Sequence, residues 1–393
     1  MMNSRHHPEL TFPVTTYEYR LKDVQDTLHG QGLAGVLLFD PENIFWLSGY
    51  QSIGYFTFQC LFVPGRGEMA LISRKVNGFL ASVTPTLGRF VEIADTDEPV
   101  DVLARFLDGT LPPGAGLGVE TGAWYLTVRD FNRLRALLPR VRLSDWPAHI
   151  ESRRVRKSAE EIERIRAAAR AAEAGLDAAL AAIAPGKTEN DLAAAMYSAN
   201  IQAGSEYLGH PPLVVSGERT ALCFAMWRRR PIRSGDVVLL EAAGCIDRYH
   251  AMIARSAVVG IPTPLHRHAA NTLLEALDAV ITAIAPGRTS GEVDAACRRV
   301  VQEAGLGHAF THRTAYSVGI GFPPNWSEGR ALSIRPGDAT VLEPGMTFHV
   351  VPTLFVEDFG MCFSETVLVT EDGCEVLTDY LRRLFTIDIE ADA

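Results

Sequence analysis

The alternation of apolar and polar positions predicts an α/β pattern over the first 150 residues. A helical spacing from Tyr17 to Gly30 places Leu21, Val24 and Leu28 on one face. The apolar run from Val36 to Phe39 has the length of a buried strand, and similar strands and helices alternate up to about residue 140. Alternation of this kind indicates a mixed α/β domain.

The pattern changes near Ser152, where an Ala-, Arg- and Glu-rich helix follows a capping sequence that begins at Ser158. We therefore expect two domains, residues 1–150 and 151–393. The second domain contains an internal repeat, because the string Ile183-Ala184-Pro185-Gly186-Lys187-Thr188 returns 101 residues later as Ile284-Ala285-Pro286-Gly287-Arg288-Thr289. Helices and strands flank each copy, which predicts two similar α+β units.

A lone carboxylate at the end of an apolar strand is the first candidate for chemistry. Glu241 directly follows four apolar residues, Val237 to Leu240. A buried carboxylate requires a partner or a function, and burial raises its pKa toward neutrality. Such a group suits a general base or a nucleophile. The alternative is a structural ion pair with Arg255 across the predicted hairpin.

Composition excludes several classes of partner. The net charge of −10 gives no basic footprint for nucleic acid or an anionic membrane. Six cysteines without paired spacing fit reduced thiols better than disulfides or a zinc site. No apolar run approaches the ~18 residues of a membrane span, and the first ten residues lack the apolar core of a signal peptide. We expect a cytoplasmic protein that acts on a small molecule.

Five short motifs of the chain form a recognisable set. They are Pro185-Gly186-Lys187-Thr188-Glu189, Gly235-Asp236-Val237-Val238-Leu239, Arg255-Ser256, Leu342-Glu343-Pro344-Gly345-Met346 and Glu365-Thr366-Val367-Leu368-Val369-Thr370. Together they resemble the creatinase/aminopeptidase, or pita-bread, family, and the resemblance covers nearly the whole chain. It implies an α+β fold, with a creatinase-like α/β domain over residues 1–150 and an internally duplicated pita-bread domain over residues 151–393. It also implies a homodimer.

The family's peptidases hold two metal ions with two Asp, one His and two Glu, and the matching positions of this chain do not preserve that set. Hard divalent ions prefer several carboxylate oxygens, which a thioether, a phenol and an isopropyl group do not supply. We therefore expect no metal and no other cofactor, although Glu365 lies one place after the last position. The five matching residues are Glu241, Met252, Tyr316, Val351 and Ser364.

The missing ligands favour the family branch that cleaves small, non-peptide C–N bonds without metal, which includes creatinase and ectoine hydrolase. The strings Arg248-Tyr249-His250 and Tyr316 to Glu328 are similar to those of ectoine hydrolases. The expected activity is hydrolysis of a C–N bond in a small zwitterionic or cyclic amidine or amide solute. Two alternatives stay open: a metal-dependent Xaa-Pro dipeptidase or aminopeptidase, and a non-catalytic binding protein in which Phe224 replaces a proton-handling family His.

Ten residues are the candidates for the site, and an ordinary structural role is the alternative for each of them. Glu241 would attack the substrate or activate water, and His250 or His349 would move the proton. Glu365 and Tyr316 would hold the charged ends of the substrate. The catalytic candidates are Glu241, His250, His349 and Glu365; the substrate-binding candidates are Tyr316, Trp326, Arg255 and His312, with Tyr55 and Phe58 reaching the neighbouring subunit.

Overall fold

The structure of the protein is a computed structural model that describes residues 7–356 and 358–388. The chain divides into two compact units between Arg153 and Arg154.

The first unit is built on one mixed β-sheet. Its strands lie in the order β4-β3-β2-β1-β5-β6, with β1 parallel to β5 and antiparallel to β2. Apolar side chains of β1, β2, β3, β5, α4 and α5 form its core. The elements are α1 Val14–Gly30, β1 Gly35–Leu38, α2 Pro41–Ser48, β2 Gln59–Pro64, β3 Met69–Arg74, α3 Gly78–Ser82, β4 Leu87–Ile93, α4 Pro99–Asp108, β5 Gly116–Val119, α5 Val128–Leu137, β6 Arg142–Asp145 and α6 Glu151–Arg154, with 3-10 turns at Gly54–Phe56 and Lys75–Asn77.

The second unit is built on a larger sheet whose main strands lie in the order β17-β16-β13-β10-β9-β8-β7. Two helix pairs, α7 with α8 and α9 with α10, pack beside it. The elements are α7 Ala159–Ala181, α8 Glu189–Gln202, β7 Leu213–Ser216, β8 Val237–Ile246, β9 Tyr249–Val259, α9 Pro264–Ala283, α10 Ser290–Glu303, β10 Ala315–Phe322, β11 Asn325–Ser327, β12 Ser333–Ile334, β13 Thr347–Val350, β14 Thr353–Val356, β15 Phe359–Cys362, β16 Glu365–Val369, β17 Cys374–Val376 and β18 Phe385–Ile387, with 3-10 turns at Gly217–Ala221 and Gly307–Ala309.

The repeated string has the same conformation in both copies. Thr188 caps α8 and Thr289 caps α10, and each forms a reciprocal capping box with the carboxylate three residues later. The preceding glycines, Gly186 and Gly287, both have a φ of 82°, which favours glycine because a Cβ is strained there. The repeat therefore starts equivalent helices in the two halves of the unit.

The long hairpin of β8 and β9 presents two different faces. Side chains alternate along a strand, so that Leu240, Ala242 and Ile253 pack against α7 and α8 on one face. Leu239 and Met252 lie on the other face, in a second buried cluster. Glu241 belongs to this second face, because it alternates with Leu240 and Ala242.

Candidate active site

Glu241 lies at the centre of the second face, where the β8–β9 register pairs it with Ala254. Its side chain is almost completely buried, with 7% of the residue exposed. Removal from water raises the pKa of the Glu241 carboxyl to about 7, and a hydrogen bond with Tyr316 opposes that rise. The carboxyl is therefore poised to exchange a proton near neutral pH.

A chain of hydrogen bonds beside Glu241 runs through Tyr316, His349 and Ser364, on or next to three neighbouring strands. Tyr316 on β10 lies directly opposite His349 on β13, and its hydroxyl is 2.8 Å from His349 Nδ1. The other ring nitrogen, Nε2, is 2.6 Å from Ser364 Oγ. His349 Nδ1 also lies 3.7 Å from Glu241 Oε1. The sheet register thus brings His349 and Tyr316 to Glu241.

One direction of these hydrogen bonds satisfies every partner, and we assign the His349 tautomer on that basis. Ser364 Oγ accepts from the Ala254 backbone N–H at 2.6 Å, so its own proton is available for His349 Nε2. His349 Nδ1–H then donates to the Tyr316 oxygen, and the Tyr316 hydroxyl donates to the Glu241 carboxylate, which accounts for the lowering effect of Tyr316 on its pKa. Burial holds the pKa of His349 at about 3, so the ring is neutral.

Trp326 forms a wall of the site. Its ring is buried in the same cluster as Tyr316. The indole also packs on the His210 ring, with centroids 4.8 Å apart. An aromatic wall beside a carboxylate suits a flat or cationic group of a substrate.

The five positions that match the family's metal ligands converge on this face. Met252, Tyr316 and Val351 belong to one buried cluster beside Glu241, and Ser364 reaches it through His349. The convergence supports the alignment, but the donors do not fit a pair of hard divalent ions, because Glu241 supplies the one carboxylate of the five.

In the first unit, three acidic side chains lie close enough to one another to bind one ion. They are Asp40, Glu120 and Glu151. Glu120 is buried, and its carboxylate accepts hydrogen bonds from the backbone N–H of Phe39 and Asp40 and from the Asn43 side chain. These contacts fix the start of α2 and give Glu120 a structural role.

His250 has backbone partners on both ring nitrogens. Its Nε2 accepts from the Gly209 N–H at 2.9 Å, and Nδ1 lies 2.9 Å from the Arg248 carbonyl, to which it donates. Burial lowers its pKa to about 3. The geometry gives His250 the role of a brace between the β8–β9 turn and the segment before β7, and no contact with Glu241 is seen among the described residues.

The structure does not bring Glu365 to the Glu241 face. Glu365 pairs with Val350 on β13, whereas the neighbouring pair is Thr366 with His349, so Glu365 and His349 point to opposite faces. Its Oε1 lies 2.6 Å from Arg255 Nη2 and 2.9 Å from Arg382 Nε. Arg255 pairs with Glu365, so the alternative of a structural ion pair between Arg255 and Glu241 is wrong.

The remaining candidates have mixed placements. His312 is half-buried and close enough to His349 for its charge to lower the pKa of that ring. Within the first unit Tyr55 packs on Tyr125, and Phe58 packs on Phe39, so both side chains are packed within their own unit. Phe224, which replaces the family His, is 69% exposed and has a φ of 61°.

Sequence reasoning missed two residues of this region. Ser364 was considered as a lost metal ligand, yet it orients His349. Arg313 was not considered, although its guanidinium lies over the Tyr316 ring at 4.6 Å from the centroid. The available signal for Ser364 was its match to a metal-ligand position, and that for Arg313 was its place between the candidates His312 and Tyr316.

Family comparison agrees with this architecture. The model of metallopeptidase family M24 matches residues 163–371, and that of the creatinase/prolidase N-terminal domain matches residues 20–156. The chain belongs to metallopeptidase family M24 and is a hydrolase acting on C–N bonds. The predicted α+β fold class, with a creatinase-type N-terminal domain and a pita-bread C-terminal domain, is confirmed.

Individual relatives span two activities. The chain is 31% identical to an ectoine hydrolase from Halomonas elongata, over 96% of this chain and 99% of the relative. It is 30% identical to an Xaa-Pro dipeptidase from Pyrococcus furiosus, over 81% and 95%. A prolidase structure from Thermococcus sibiricus shares the fold, with a TM-score of 0.85 over 94% and 99% of the chains at 24% identity. In the described part of the chain, no helix has the length and apolarity that crossing a bilayer requires.

Proposed function

We propose that this protein hydrolyses a C–N bond of a small cyclic amidine or amide solute without a metal ion, and that ectoine is the first substrate to test. The observation that carries the proposal is the buried Glu241 carboxyl beside the hydrogen-bonded chain of Tyr316, His349 and Ser364. Glu241, Tyr316 and Ser364 are three of the positions that we match to the metal ligands of the family's peptidases. The similarity to an ectoine hydrolase over nearly the full length supports the choice of substrate. Ectoine is a cyclic amidine that carries a carboxylate.

Glu241 performs the reaction in its ionised form by one of two routes. As a general base, it takes a proton from water, the water oxygen attacks the amidine carbon, and the proton passes to the departing nitrogen as the C–N bond breaks. As a nucleophile, its own oxygen bonds to that carbon, the ring C–N bond breaks as the departing nitrogen takes a proton from solvent, and water then attacks the Glu241 carboxyl carbon, which releases the product and restores the carboxylate. Both routes release a ring-opened amine.

Tyr316 and His349 hold the carboxylate in place and adjust its basicity. The Tyr316 hydroxyl donates to Glu241, so it stabilises the charged form that reacts. His349 is neutral, and it orients the Tyr316 hydroxyl through Nδ1 while Ser364 holds Nε2. His349 is therefore a positioning residue in this mechanism.

The test is a mass-spectrometric assay of the purified protein on ectoine, creatine and a Gly-Pro dipeptide. We expect ring opening of ectoine by the wild type and at least a 1000-fold loss of kcat in Glu241→Gln, on the order of the contribution of a nucleophile or base. Glu303→Gln, an exposed glutamate on α10, is the matched control and retains full turnover. Full turnover by Glu241→Gln would make the mechanism wrong.

The same assay separates the two routes and the alternatives. A single turnover in ¹⁸O-labelled water places label in the Glu241 carboxyl when Glu241 is the nucleophile, and in the product alone when it is the base. Cleavage of Gly-Pro but not of ectoine would favour the dipeptidase. Binding of ectoine without any product would favour the non-catalytic protein.

A further inference from the structure

Arg313 is a half-buried arginine beside the proposed active site. It precedes β10, and its guanidinium carbon lies 4.6 Å from the centroid of the Tyr316 ring. Nη1 donates to Ser333 Oγ at 3.0 Å. Over residues 7–356 and 358–388, no carboxylate forms an ion pair with this guanidinium. An arginine carries five N–H donors, so most of its donors remain available.

Other half-buried or buried arginines of the second unit each meet an acid. Arg298 Nε lies 2.7 Å from Asp294 Oδ2, Arg154 Nη2 lies 2.7 Å from Glu328, and Arg255 Nη2 lies 2.6 Å from Glu365. Partial burial of a cation without a counter-ion costs free energy. Arg313 has no acidic partner among the described residues, and an anion from outside the chain would remove that cost.

The surroundings of Arg313 leave room for its planar head group and connect it to the site. A Cβ on Gly329 would lie 2.7 Å from Arg313 Nη1, so the absence of a side chain at Gly329 allows the guanidinium to lie there. Burial lowers the pKa of His349 and raises that of Tyr316, and the charge of Arg313 adds to the first effect and opposes the second, so Arg313 lies within electrostatic reach of both side chains.

We propose that Arg313 binds the carboxylate group of the substrate, and hence that the substrate is a C–N-bonded solute bearing a carboxylate. The planar fork of a guanidinium matches a carboxylate with two parallel hydrogen bonds, and the Tyr316 ring beneath it fixes the plane of the fork. A carboxylate held here would lie beside the proposed catalytic chain, because Arg313 lies against the ring of Tyr316, whose hydroxyl contacts His349. This inference rests on the proposed function in one respect only, which is the identity of the bond that is broken.

The first test compares ectoine with its carboxamide, in which the charge is removed. In the wild type we expect KM for the carboxamide to exceed that for ectoine by about 10- to 100-fold, the range of a charge-assisted hydrogen bond. In Arg313→Gln, KM for ectoine rises by the same factor while KM for the carboxamide changes little. Arg335→Gln, which removes a nearby exposed cation that pairs with Asp338, is the control and leaves both KM values unchanged.

A second measurement keeps this inference separate from the proposed function. In protein with ¹⁵N-labelled arginine, the Arg313 Nε–H resonance is assigned by its loss in Arg313→Lys, and then ectoine, propionate and propionamide are added. A saturable shift with the carboxylates and none with the amide supports the inference, even if no ectoine is hydrolysed. No shift with any carboxylate overturns it, as does an unchanged KM for ectoine in Arg313→Gln, even if ectoine hydrolysis itself is observed.

Discussion

At the scale of single residues, burial of the Glu241 carboxyl gives it a pKa suited to catalysis and lowers the free energy of unfolding of the protein. Its pKa rises from 4.5 to about 7 on folding, so the folded protein holds the proton more tightly than the unfolded chain. The free energy of unfolding therefore falls as pH rises from about 4.5 to about 7, and it stays at the lower value above that. At about 1.4 kcal/mol for each pKa unit, the cost reaches roughly 3 kcal/mol.

Glu241→Gln removes this cost because glutamine does not ionise. We predict that the variant is more stable than the wild type by up to about 3 kcal/mol at pH 8 and that the difference vanishes at pH 4.5. Urea unfolding of the two proteins at both pH values measures it. An equal difference at the two values would mean that Glu241 is not held with a raised pKa.

Tyr316 sets the pH at which Glu241 becomes reactive. Since the ionised carboxylate reacts, kcat/KM should rise with pH to a plateau, with a midpoint near pH 7. Tyr316→Phe removes a donor to the carboxylate, which raises the Glu241 pKa and moves the midpoint to higher pH. Tyr197→Phe is the control, since Tyr197 packs beside the same apolar cluster and should leave the midpoint in place. An unmoved midpoint in Tyr316→Phe would contradict the assigned hydrogen bond.

At the scale of secondary-structure elements, the buried pair of Arg255 and Glu365 ties β9 to β16 and to the segment that follows β17. Arg255 also donates to the Tyr380 and Leu381 carbonyls, and Glu365 accepts from Thr378. We predict that Glu365→Gln costs about 3 kcal/mol or more of stability, because it leaves the buried Arg255 charge without its acid. Urea unfolding measures this cost.

The turnover of the folded variant decides whether Glu365 has a structural or a catalytic role. We expect kcat per folded molecule to stay within about twofold of the wild type, since Glu365 lies on the face opposite Glu241. Glu343→Gln breaks an exposed pair with Arg156 and should cost under about 1 kcal/mol. A large loss of kcat in a stable Glu365→Gln would restore the catalytic assignment.

The elements themselves were largely predictable, while the neighbours of the site were less so. The helical spacing at Val24 and Leu28 gives the buried face of α1, and the capping sequence at Ser158 marks the start of α7. The position of Glu241 at the end of an apolar run identified the buried carboxylate. The faces of Arg255 and Glu365 depend on cross-strand register, and one residue of register decides the face, which a sequence pattern does not fix.

At the scale of the whole molecule, the predicted homodimer and cytoplasmic location remain predictions. The reach of Tyr55 and Phe58 to the neighbouring subunit is likewise a prediction, and within this chain both side chains pack in the first unit. Phe56 between them is 78% exposed, so a contact of this segment with a second copy would involve Phe56. Light scattering, which we expect to give twice the mass of one chain, tests the dimer directly.

The whole fold also determines how the protein responds to metal. The five family ligand positions are spread over both halves of the repeat, on strands β8, β9 and β10 and beside β13 and β16, so one substitution does not recreate a two-metal clamp. We predict that dialysed protein contains less than 0.1 equivalent of Mn, Co or Zn per chain, a threshold of roughly one-twentieth of a two-metal site. We also predict that its ectoine hydrolysis is unchanged by a chelator, as measured by elemental analysis and by mass spectrometry. Two equivalents of metal with chelator-sensitive Gly-Pro cleavage would favour the dipeptidase. In that case, carboxylates other than those at the matching positions would bind the ions.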